Sequence, residues 1–157
     1  MMDDSYRSAL AGGLTHVFRQ LLDVAEERDL PVIETGSDIL VCSALQIRGD
    51  WPGRMVLRTT ENLCATLISI LFPQVPISRM ATEDVVCELL NMVSESSRTL
   101  LSQRKVSFEV GPPSLVYPIP EILPEDDRIV RLEFLEEPIE LWFEDQPCTE
   151  STSNKDG

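Results

Sequence analysis

The sequence predicts an α+β fold in which an antiparallel sheet is covered by helices. Three observations carry this reading. Apolar residues recur at spacings of three and four near the start of the chain and again in its middle, the period of an amphipathic helix. Stretches of alternating apolar and polar residues, bounded by Gly, Pro and Asp clusters, lie before and after the middle helices, the pattern of hairpins. The length of 157 residues suits one domain with a single core.

The elements follow in order. Residues from about Ser5 to Arg28 form the first helix, with Leu10, Leu14, Val17, Leu21 and Val24 on one side and Ser5 as its cap. Gly12-Gly13 weakens it by about 1 kcal/mol per glycine relative to alanine. Pro31 ends the helical region. A strand from Asp38 to Ile47 places Ile39, Val41, Leu45 and Ile47 on one face. The turn formers Gly49-Asp50-Trp51-Pro52-Gly53 return the chain along Met55 to Arg58. Thr60 caps a helix through Leu63, Leu67, Ile70 and Leu71, which Pro73 and Pro76 break. A third helix starts between Ser78 and Thr82 and runs to about Arg104; Thr82 is a good cap, and Glu83 and Asp84 suit a first turn.

The last third is again β-rich. Val106, Phe108 and Val110 alternate with polar residues until Gly111-Pro112-Pro113. A proline-rich connection from Tyr117 to Pro124 leads to an acidic turn at Glu125-Asp126-Asp127. Ile129 to Leu135 and Ile139 to Phe143 form a hairpin around Glu136-Glu137-Pro138. The domain is expected to span 1–145, with 146–157 a disordered polar tail. Strand pairing between the two halves is not readable from the pattern.

Thirteen basic against 27 acidic residues give a net charge of −14. Nucleic acids and anionic membranes select basic surfaces, so neither is an expected partner. The acidic excess reads first as a solubility device. The start, Met1-Met2-Asp3-Asp4, is acidic where a signal peptide is basic, and the longest apolar run, Leu67 to Phe72 with one serine, is too short to span a bilayer. A cytoplasmic location is the expectation. The cysteines at 42, 64, 87 and 148 have no metal-type spacing and read as free thiols; with a lone histidine, His16, neither a zinc site nor a histidine-based triad has support.

The third helix is the most informative segment. At roughly 100° per residue, Val86, Leu89, Leu90, Val93, Leu100 and Leu101 gather on one face. Asp84, Glu88, Asn91, Glu95, Arg98 and Ser102 gather on the other. Glu88 and Asn91, three apart, lie side by side on the exposed surface. A polar face is common to surface helices, but asparagine is a poor mid-helix residue and needs another reason to be there.

The run Asp84-Val-Val-Cys-Glu88-Leu-Leu-Asn91 resembles the D/S-x3-E-x2-N signature of the CheC/CheX chemotaxis phosphatases. The strand Gly53-Arg-Met-Val-Leu57, the helix start Thr60-Glu-Asn-Leu-Cys-Ala65, the prolines Pro112-Pro113 and the terminal hairpin extend the resemblance over roughly residues 5 to 143. Ser94 stands where the family often has glycine. No second Glu-x-x-Asn occurs near Thr60 to Leu67, so the chain looks CheX-like, with one site. The resemblance implies hydrolysis of the phospho-aspartate of a CheY-like response regulator. Asn91 would orient the attacking water and Glu88 would pair with the regulator's active-site lysine. Asp84, Ser94 and Glu95 would contact the partner. No cofactor belongs to the chain itself; Mg²⁺ sits on the regulator. Two rival readings are a non-catalytic regulator-binding module and a flagellar-switch-like assembly subunit. CheX-like proteins can dimerise through their sheets, and the terminal hairpin offers an edge for a homodimer; the resemblance leaves the oligomeric state open.

Overall fold

A computed structural model describes residues 4–28, 39–125 and 128–145. The break expected at Pro31, Asp126 and Asp127 of the acidic turn, and the 146–157 tail lie outside these residues. The first helix, α1 (Asp4–Arg28), begins one residue earlier than expected, which puts Ser5 inside the first turn rather than at its cap. The chain then forms β1 (Leu40–Gly49), β2 (Gly53–Thr60), α2 (Glu61–Leu71), α3 (Arg79–Ser102), β3 (Phe108–Val110), β4 (Ser114–Leu115), β5 (Ile129–Phe134) and β6 (Glu137–Asp145). Helix, strands, helix, helix, strands is the expected order, and the fold is α+β.

The strands make one antiparallel sheet in the order β3-β1-β2-β6-β5, with β4 also paired to β1. The two halves meet where β2 pairs with β6, from Gly53 opposite Asp145 to Arg58 opposite Glu140. Side-chain charge matches this register. Arg54 bonds Glu144 at 2.9 Å and Arg58 bonds Glu140 at 2.7 Å, two opposite-charge pairs one above the other.

The helices bury one face of the sheet. Tyr6, Leu10, Leu14, Val17, Phe18 and Leu21 of α1 pack with Leu45, Ile47, Met55 and Leu57 of the sheet and the inner sides of α2 and α3. On the opposite face, Cys42, Ala44, Val56, Ile129 and Trp142 pack against Val116, Ile119 and Leu123. The proline-rich connection therefore lies across the second face, and Arg58 ties it down by donating to the Pro120 carbonyl at 2.6 Å. Ile39, expected on an inner face, precedes β1 and is exposed.

The double glycine in α1 has a tertiary reason. A Cβ on Gly13 would press on Ser97 Oγ and lie 2.9 Å from the Ser97 nitrogen and 3.1 Å from the Val93 carbonyl oxygen. Helices α1 and α3 thus approach backbone to backbone at this point. In an isolated helix Gly→Ala is favourable by about 1 kcal/mol. Here the backbone of α3 would have to give way, and Gly13→Ala is expected to destabilise by about 1–3 kcal/mol, the range for overpacking. Chemical denaturation checks this; a variant more stable than wild type contradicts the close approach.

Local chemistry also sets the chain reversals. Lys105 adopts φ 62, and its N–H and that of Val106 reach the carbonyls of Ser102 and Leu101 at 3.0 Å each. This closure ends α3 and holds Val106 out of β3. The last turn is made by Leu135 and Glu136, with φ 50 and 70, so Glu137 and Pro138 belong to β6 rather than to the turn. A two-residue hairpin turn with positive φ at both positions usually carries Asn-Gly, and its absence displaces the expected turn.

Candidate functional site

Helix α3 is set in place before any functional side chain is considered. Ser78 caps it, its Oγ accepting from the Ala81 N–H at 3.1 Å. Thr82, the other candidate cap, lies one turn in and is buried, its Oγ1 donating to the Ser78 carbonyl at 2.9 Å. Both residues suit a cap; burial of Thr82 selects the earlier one. Glu83 and Asp84 therefore sit in the second turn. Buried Ser43 of β1 donates to the Val86 carbonyl at 3.0 Å, fastening the helix to the sheet. Tyr117 donates to Glu83 at 2.6 Å and Arg79 lies 3.5 Å from the same carboxylate, so Glu83 is held at the helix flank.

The expected faces hold. Val86, Leu89, Leu90, Val93 and Leu101 are buried, and Leu100 is half-buried against the core. Asp84, Glu88 and Glu95 are exposed and Asn91 is half-buried. Successive members of this stripe are three or four residues apart, about one turn along a helix rising ~1.5 Å per residue. Among the described residues, no hydrogen bond or ion pair engages the side chains of Glu88 and Asn91, so both are available to a ligand. Glu95 lies 3.7 Å from Arg98.

Ser94 corrects an expectation. It is fully buried and donates its Oγ hydrogen to the Asn91 carbonyl at 2.9 Å. It belongs to the buried stripe Leu90, Ser94, Ser97 and Leu101, whose spacing of four, three and four follows the inner side of the helix. Its surface is not offered to a partner. Ser94 supports the backbone under Asn91, while Asp84 and Glu95 remain on the open face.

The thiols stay out of the chemistry. Burial pushes Cys42 and Cys64 up to about 12. Cys87, next to Glu88, is also raised, by burial first and then by the Asp84 and Glu83 carboxylates. All three are protonated at neutral pH and poor nucleophiles. Among the described residues no group of three His, Cys, Asp or Glu side chains is placed to hold a metal ion, and no helix is long and apolar enough to cross a membrane.

One feature of this neighbourhood is absent from the sequence reading. Ile68, Phe72, Val75, Pro76, Met80 and Ala81 line a groove of about 470 Å³ between the end of α2 and the start of α3, with Asp84 on its wall. The signal was three apolar residues, Phe72, Val75 and Ile77, interleaved with Pro73 and Pro76, where no helical or strand period can bury them.

Residues 41–128, which include Asp84, Glu88 and Asn91, match the family described as Chemotaxis phosphatase CheX, over more than half of the chain. The chain belongs to the CheX chemotaxis phosphatase family. Solved structures agree on the fold. A CheC-like superfamily protein from Shewanella sp. PV-4 superposes with a TM-score of 0.61 at 19% identity, covering 91% of this chain and 99% of its own. Chemotaxis protein CheX from Vibrio vulnificus gives 0.56 at 18% identity, covering 83% and 96%. CheX from the CheX–CheY–BeF3–Mg²⁺ complex of Borrelia burgdorferi gives 0.54 at 16% identity, covering 78% and 93%. No curated protein matches the sequence.

Proposed function

We propose that this CheX-family chain is a phosphatase for the phospho-aspartate of a CheY-like response regulator. The observation that carries the reading is the outward presentation of Glu88 and Asn91, one turn apart, on a helix pinned to the sheet by Ser43. The complex of the Borrelia burgdorferi CheX with CheY supports the choice of partner class.

The chemistry suits the two side chains. Water attacks phosphorus in line with the aspartyl oxygen; the new P–O bond forms as the acyl phosphate bond breaks, leaving the aspartate carboxylate and inorganic phosphate. An acyl phosphate is already activated, and the regulator supplies its own Mg²⁺. What the second protein adds is position. The Asn91 amide both donates and accepts hydrogen bonds, so it can hold a water in one orientation without acting as a strong base. Glu88 pairs with the lysine of the regulator's active site and fixes the register of docking. Asp84 and Glu95 make rim contacts. Ser94, buried beneath this face, leaves the approach of a partner clear.

Phosphate release from phosphorylated receiver domains, measured with and without this chain, tests the reading. Acceleration of at least one regulator is expected. If a regulator is retained without faster hydrolysis, the chain is a binding module; if none is either hydrolysed or bound, the proposal fails.

A further inference from the structure

We infer that the groove between α2 and α3 is the apolar half of the regulator-docking surface and seats an apolar side chain of the receiver domain; the inference rests on the function proposed above. Four of the seven large apolar residues exposed among the described residues, Phe72, Val75, Ile77 and Met80, lie between the end of α2 and the first turn of α3, between 42% and 73% exposed, and all but Ile77 line the groove. Helix α2 ends at Leu71, just ahead of Pro73 and Pro76, which cannot continue a helix. A cluster of this kind marks a surface that another molecule covers.

Position and charge select the occupant. Asp84 lines the groove and stands on the same exposed face as Glu88. From Asp84 to Asn91 the helix advances only ~10 Å. A specific complex buries roughly 800 Å² on each partner, a patch about 30 Å across. A receiver domain engaged by Glu88 and Asn91 therefore also covers the groove. Apolar anchors seated in desolvated pockets carry much of the binding energy of an interface, which the polar Glu88 and Asn91 do not supply. The groove supplies such a pocket beside the catalytic pair. A second copy of this chain fits worse, because two such grooves face to face would bring the Asp84, Glu88 and Glu95 carboxylates of both copies together.

The test uses the full chain and the regulator that it dephosphorylates, loaded with beryllofluoride and Mg²⁺. Met80→Asp and Val75→Ser alter exposed side chains that line the groove and should leave the melting temperature unchanged. Met80→Asp is expected to raise the Kd for the loaded regulator at least tenfold, and Val75→Ser by a smaller factor. A Kd within twofold of wild type for both variants overturns the groove assignment and leaves the phosphatase reading standing. If light scattering shows that Met80→Asp dissolves an oligomer while the Kd is unchanged, the groove belongs to a second copy and the inference is likewise overturned. A wild-type chain that binds no receiver domain removes the proposed function and the groove assignment together.

Discussion

Asn91→Ala is expected to abolish most of the stimulated phosphate release while the fold and much of the regulator binding survive. The side chain is half-buried on the open face, so its truncation leaves no closed cavity. The Ser94 hydrogen bond goes to the Asn91 backbone carbonyl and is kept. Alanine is also the better helix former by several tenths of a kcal/mol, so stability should be equal or slightly higher. What is lost is the amide that orients water. If positioning dominates, hydrolysis at saturating concentration falls by about 10²-fold or more. Glu88→Ala should behave differently, raising the concentration needed for half-maximal effect because the pairing with the regulator's lysine is gone. Phosphate release for each variant across a range of concentrations separates the two roles. A regulator dephosphorylated as fast by Asn91→Ala as by wild type would sink the assignment of Asn91.

Leu90→Asp should be the most destabilising change on this helix. Leu90 is fully buried in the core shared by the three helices. The substitution removes apolar contacts and puts a carboxyl group where no partner awaits it, a cost of several kcal/mol. For a domain of this size that corresponds to a fall in melting temperature of about 10 °C or more. The sign of the pH dependence follows from burial. The carboxyl pKa in the folded state would lie above the unfolded value near ~3.9. Relative to wild type the variant would therefore recover stability as the pH falls through the folded pKa and lose it as the pH rises. Melting curves at neutral and mildly acidic pH check both parts. A variant as stable as wild type would mean that α3 is turned differently, and the outward placement of Glu88 and Asn91 would go with it.

The candidate site was legible because it is local. A helix repeats every 3.6 residues, so the spacing of Val86, Leu89, Leu90 and Val93 already sends Glu88 and Asn91 outward. Thr60 was readable as a cap for the same reason: its side chain needs only the Leu63 N–H, three residues on, which it accepts at 3.1 Å. Ser94 was misjudged because serine is equally at home on a polar face and in a tight helix contact. Its neighbours in sequence do not reveal that the α1 glycines admit the backbone of α3 along this side.

By itself, then, the amino-acid sequence determined the order of elements, both hairpins and the inner and outer faces of α3, and with them the outward placement of Glu88 and Asn91. These depend on period, capping and turn chemistry, all of which act over a few residues. Tertiary structure alone decided which strands meet across the halves, although Arg54 and Arg58 opposite Glu144 and Glu140 record that register in charge. It also decided that Ser78 rather than Thr82 caps α3, that the proline-rich connection covers the second face of the sheet, and that Phe72, Val75 and Met80 line a groove beside Asp84. Each of these is a contact between segments distant in sequence, and its energy exists only once the chain has brought them together.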